Sequence, residues 1–138
     1  MDDDPEERRA ERAERAARLS AARRGSRDRE SARAQELVDR FVEEAARRRL
    51  PTEELTARPW SGSGRYRTGV EGWYLRRDRS VGVDRDGRYY HLVVAPVRFG
   101  RWRRARLAPT PPPLQVGEGG RDGESVALET LLSIRLGW

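Results

Sequence analysis

The sequence predicts an α+β fold: a small antiparallel sheet (a β-meander of three to five strands) packed by a long amphipathic helix, plus a short C-terminal helix and a polar N-terminal helical extension. Three observations carry this expectation. Ala34, Leu37, Val38, Phe41, Val42 and Ala45 recur at helical spacing, with charges on the other side. Asp86-Gly87 stands between two apolar alternations, the signal for a two-residue hairpin loop. Leu128, Leu131, Leu132 and Leu136 again recur at helical spacing. A chain of 138 residues has room for one domain and an extension, drawn at 1–25 for a charged, solvated helix and 26–138 for a single α+β domain.

The N-terminal helix is expected over 5–24. Asp4 suits the N-cap, Pro5 the first helical position, and Glu7 completes a capping box. Glu11 with Arg15, and Glu14 with Arg18, stand four apart in the favourable order. Gly25 after Arg23 and Arg24 reads as a stop. Its only apolar stripe, Ala10, Ala13, Ala17 and Ala21, is thin, and large side chains for a coiled-coil seam are missing. The second helix runs from Ser26 or Asp28 to the Leu50-Pro51 step, because the residue before proline avoids helical geometry. Thr52 to Leu55 is expected to add one turn, and Ser61-Gly62-Ser63-Gly64 to form a loop.

Three strands follow, at 71–76, 80–84 and 88–95. A two-residue loop at Asp86-Gly87 sets Val83 opposite Tyr90 and Val81 opposite Leu92. A three-residue loop, Arg77-Asp78-Arg79, sets Trp73 opposite Val83 and Leu75 opposite Val81. The resulting core face is Trp73, Leu75, Val81, Val83, Tyr90, Leu92 and Val94, with helix 28–49 as its cover. Beyond it, Pro109 to Pro113 is extended, polyproline-like chain, and Leu114-Gln115-Val116 suits a short edge strand. A Gly-rich loop at 117–123 leads into the last helix.

All 29 basic residues are arginine, and lysine is absent. GC-rich codon usage accounts for that choice, so the information lies in where the arginines stand. Residues 1–50 carry 14 Arg against 13 acids, whereas 58–106 carry 13 Arg against 4 acids, a local excess of +9 in a chain of net +6. Without cysteine there are no disulfides, thiolate metal sites or Cys nucleophiles. The acidic start, with no apolar run behind it, is unlike a secretory signal, and nothing approaches a membrane span, so a cytoplasmic location is expected.

Two constellations are candidates for function. Arg98, Arg101, Trp102, Arg103, Arg104 and Arg106, with Phe99 among them, form a candidate polyanion-binding segment; guanidinium contacts phosphates, and arginine with aromatics adds stacking. The competing reading is a solvated loop. The second constellation is the sheet face opposite the predicted core, where Tyr74, Arg76, Tyr89 and His91 make a candidate base-stacking platform around Gly82. Its competitor is that the helix at 126–136 packs there. No catalytic, cofactor or metal residues emerge. Loop 61–64 has no Walker pattern, the Asp84-Arg85-Asp86-Gly87 turn fails as a calcium loop, and Ser61 and Ser63 lack a nucleophile elbow. His91 is the single histidine.

The segments Gly69-Val70-Glu71-Gly72-Trp73-Tyr74-Leu75-Arg76-Arg77 and Gly119-Gly120-Arg121-Asp122-Gly123-Glu124-Ser125 resemble those of small arginine-rich cytosolic proteins of high-GC actinobacteria. The resemblance covers roughly 55–136 and implies a bacterial cytosolic protein; it transfers no activity and no site residue. Two function classes remain: a non-enzymatic interaction or regulatory module that docks a protein partner, and an accessory binder of single-stranded RNA or DNA using region 58–106. An enzyme is a distant third.

Overall fold

The computed structural model describes residues 4–96, 104–117 and 125–138. Asp4 caps the first helix as expected: its Oδ1 accepts the Glu6 N–H at 3.0 Å, with Pro5 in the first turn. That helix, α1, then runs unbroken from Pro5 to Arg47, so the stop expected at Gly25 is absent. A helical glycine costs about 1 kcal/mol against alanine. Extending an existing helix by one residue costs far less than starting one, and the packed turns beyond Ala34 supply the nucleus. Within α1 only Ala34, Val38, Phe41 and Ala45 are buried.

Five strands and a two-stranded ribbon follow: β1 (Glu53–Pro59), β2 (Tyr66–Tyr74), β3 (Val81–Asp84), β4 (Tyr89–His91), β5 (Val93–Val94), β6 (Gln115–Val116) and its partner β7 (Val126–Ala127), before α2 (Leu128–Leu136). The architecture is α+β, with a five-stranded, mostly antiparallel sheet in the order β4-β3-β2-β1-β5. β1 occupies residues expected to add a helical turn. The signal that wins there is alternation: Leu55, Ala57 and Pro59 are buried while Thr56 and Arg58 are half-buried.

β4 and β5 are consecutive in the chain yet lie at opposite ends of the strand order, so the sheet curls back on itself. Leu92 makes the join. Its N–H donates to the Ser80 carbonyl at 2.8 Å, and its own carbonyl accepts the Arg58 N–H at 2.8 Å. β5 runs parallel to β1, pairing Val93 with Arg58. Inside the curl Leu55, Tyr74, Tyr90 and Leu92 form one buried cluster, with Val70 and Leu107 against it. Outside, Trp73, Leu75, Val81, Val83 and Tyr89 pack on α1 and on Leu128, Leu131 and Leu132 of α2. The Phe41 ring meets Trp73 edge-on at 5.8 Å, and the Trp73 indole donates to the Leu50 carbonyl.

The β2–β3 register is the expected one, with Trp73 opposite Val83. The β3–β4 register is not: Val83 pairs with Tyr89 and Gly82 with Tyr90. The cause is the turn. The Gly87 N–H donates to the Asp84 carbonyl, the Asp84 N–H to the Arg88 carbonyl, and Gly87 sits at φ 82°, which makes a three-residue loop with glycine in the left-handed position. A one-residue slip turns every following side chain to the other face. Tyr90 and Leu92 therefore enter the curl, and Tyr89 and His91 move to the helix side.

Candidate functional site

The basic segment falls partly outside the described residues, which exclude Arg98, Arg101, Trp102 and Arg103. Arg104 and Arg106 are described, and both are exposed. They are held at the edge of β2, where Arg104 bridges to Arg67 and the Ala105 N–H donates to the Arg67 carbonyl at 2.9 Å. Together with Thr68, Gly69 and Glu54 they line a groove of about 560 Å³. β2 bulges here, because Thr68 to Val70 have only Leu55 facing them. The Glu54 carboxylate takes the groove's nearest donors, accepting from Arg67 Nη2 at 3.0 Å and from the Gly69 N–H at 3.3 Å. The Arg67 hydrogen bond holds the Glu54 carboxyl below its usual range. The anion position at the bulge is thus filled from within, while Arg104, which also acts on the Glu54 carboxylate through its charge, and Arg106 stay exposed.

The four residues expected to share an exposed stacking face do not do so. Tyr74 is 6% exposed and lies inside the curl, where its hydroxyl accepts the Thr56 N–H at 2.9 Å. Tyr89 is 1% exposed and lies on the other side of the sheet, in the cluster shared with α2. Burial and the register slip remove the platform as drawn. Three of the four nevertheless gather in a different arrangement. Tyr89 and His91 stand edge-to-face at 5.5 Å along one wall of a cavity of about 400 Å³. Arg76 closes its rim by donating to the carbonyl of Gly117, another lining residue, at 3.0 Å.

Arg58 and Ser80 complete the polar lining, and Val81, Val93 and Val116 supply the apolar walls. Two of the lining residues each carry a buried polar atom, the Tyr89 hydroxyl and Arg58 Nε, with no hydrogen-bond partner among the described residues. Burial pushes the Tyr89 phenol up to about 12, against the opposing charge of Arg76, so it stays a neutral donor near pH 7. The Ser80 hydroxyl proton is already given to Asp78 Oδ1 at 2.6 Å. Sequence reasoning missed Arg58 and Val116. Neither carries a local signal: Arg58 arrives through the parallel β1–β5 pairing and Val116 through β6.

The third feature is the free part of α1. From Pro5 to Glu30 every residue is exposed except Gly25, which is half-buried. At 1.5 Å per residue this arm reaches roughly 39 Å. It holds nine arginines against six acids, and between Arg15 and Arg27 five arginines and no acid. Leu19, 58% exposed, is its large apolar side chain. Among the described residues no helix is long and apolar enough to cross a membrane. No protein-family model, curated protein or solved structure matches this chain.

Proposed function

We propose that this chain is a small non-enzymatic interaction module whose solvated N-terminal helix docks a protein partner through an acidic surface. The observation that carries the reading is the exposure of α1 from Pro5 to Glu30 on all sides. A helix that packs on nothing adds nothing to the core, and most helical stability comes from a packed face. The arm's excess of nine arginines over six acids makes two copies repel, which favours a partner of opposite charge over self-association. Arginines spread around a helix offer planar, bidentate donors to carboxylates.

A photo-crosslinking residue in place of Leu19, with the same residue in place of Glu129 on α2 as control, tests this in cells. The expected result is a discrete protein adduct from position 19 alone, lost when Arg15, Arg18, Arg23 and Arg24 all become Gln. Equal adducts from both positions, or an adduct indifferent to the four charges, would overturn the reading.

A second reading, accessory binding of single-stranded RNA or DNA, is favoured by the outward charge of Arg104 and Arg106 beside Arg67. Fluorescence anisotropy with labelled single strands across a salt series separates the two. Affinity that falls steeply with salt and drops in Arg104→Gln/Arg106→Gln selects the nucleic acid.

A further inference from the structure

We propose that the cavity at the β4–β5 seam binds a small apolar carboxylate, with Arg58 and Tyr89 as its polar recognition residues. The volume, about 400 Å³, lies in the range of small-ligand pockets. Such pockets join apolar walls to a few convergent polar groups, which is the composition found here: valines at 81, 93 and 116, with Arg58, Tyr89 and His91.

The orphan atoms define the ligand's chemistry. Tyr89 O–H and Arg58 Nε–H are both donors, both buried, and both without an acceptor among the described residues. Buried polar groups almost always have partners, so two unpartnered donors carried by residues that line one cavity point to an acceptor that comes from outside the chain. Arg58, half-buried as a residue, also forms no ion pair among the described residues. The missing group is therefore an anion with at least two acceptor atoms. A carboxylate fits that description and an amine does not. A primary amide brings an N–H that needs its own acceptor and leaves the Arg58 charge unbalanced. A phosphate dianion suits a site with several cations and few apolar walls, the opposite of this one. The apolar body of the acid faces the three valines.

This inference is independent of the arm's role, and so is its test. Full-length protein, labelled with ¹⁵N, is titrated with benzoate and hexanoate and, in parallel, with benzamide and hexanamide. The expected result is saturable shifts of the Val81, His91, Val93 and Val116 amides with the acids, and roughly tenfold or weaker affinity for the amides, as loss of a charge-assisted hydrogen bond gives. Tyr89→Phe and Arg58→Gln should each weaken benzoate by about tenfold. Tyr89→Phe removes only a hydroxyl with no partner, so its melting temperature should not fall. If Arg58→Gln fails to fold, Tyr89→Phe decides. Absence of saturable shifts up to about 20 mM, which corresponds to less than about 2.3 kcal/mol of affinity, overturns the proposal. Equal binding of acids and amides, or unchanged binding in Tyr89→Phe, overturns it too.

Discussion

The Asp84 carboxylate, 8% exposed as a residue, accepts from the Asp86 and Arg88 N–H groups at 2.9 Å and from the Tyr90 hydroxyl at 3.0 Å. Those bonds hold the turn open by one residue more than Asp86-Gly87 alone suggests, and so determine which tyrosine faces the cavity. Asp84→Ala orphans three donors and should cost about 3 kcal/mol, read as a lower urea midpoint at unchanged slope. An unchanged midpoint would mean that Gly87 alone sets the register. Tyr89 supports a pH prediction. Its pKa stands at about 12 in the fold, raised by burial, against about 10 in the unfolded chain. Below about pH 10 the phenol is neutral in both states and its contribution to stability is whole. Between about 10 and about 12 the unfolded chain ionises first, so stability falls as pH rises, by about 3 kcal/mol in all. With no lysine in the sequence, tyrosines are the main groups that titrate in that range. Urea unfolding near pH 9 and near pH 11.5 should show the loss in the wild type and a clearly smaller loss in Tyr89→Phe. An identical loss in both would place the sensitivity elsewhere. Sequence reading could find the Asp-Gly turn because its letters are distinctive. It could not choose between a two- and a three-residue loop, because Asp84 acts through side-chain bonds that a local pattern does not encode.

Within α1 the packed stripe from Ala34 to Ala45 and the Asp4 cap were both legible, since spacing and capping are local properties. The continuity through Gly25 was not, because it depends on turns further along that are anchored by the sheet. Gly25 has only the Arg29 guanidinium near its Cβ position, at 3.5 Å, and no positive φ, so alanine fits there. Gly25→Ala should stabilise the arm by about 1 kcal/mol. The expected readout is slower amide exchange over Glu6–Arg24 with unchanged exchange at β2 and β3. Faster exchange, or a change confined to the sheet, would show that the arm is coupled to the core. β1 was misread for a related reason: Glu53 and Glu54 are good helix formers, but β1 is held between β2 and β5, and the second pairing is parallel and non-local. α2 was found from its leucines, while its place beside α1, on the Tyr89 face, came from tertiary packing.

In the molecule as a whole, charge and burial separate cleanly along the chain. The packed centre of the sheet, around Trp73, Tyr74, Val83 and Tyr89, is covered by its own curl on one face and by two helices on the other, so Tyr74 and Tyr89 offer no exposed aromatic face. The arm, the exposed pair Arg104 and Arg106, and the mouth of the seam cavity reach solvent. Central excess charge was visible in the composition; the cavity was not, because its walls come from strands that meet only when the sheet closes. If the arm serves binding and the rest is self-sufficient, the two should come apart experimentally. Deleting residues 1–24 removes no buried side chain among the described residues, since the first buried residue of α1 is Ala34. The shortened protein should melt within about 2 °C of the full chain, a shift that corresponds to well under 1 kcal/mol for a domain of this size. Phe41→Ala is the contrasting variant. It leaves a hole against Trp73, costs about 3–5 kcal/mol, and should lower the melting temperature by roughly 10 °C or more. The same deletion should abolish the crosslink expected at position 19 while leaving benzoate binding at the seam intact. A large drop in melting temperature on deletion would make the arm a structural element and remove the reason for assigning it to a partner.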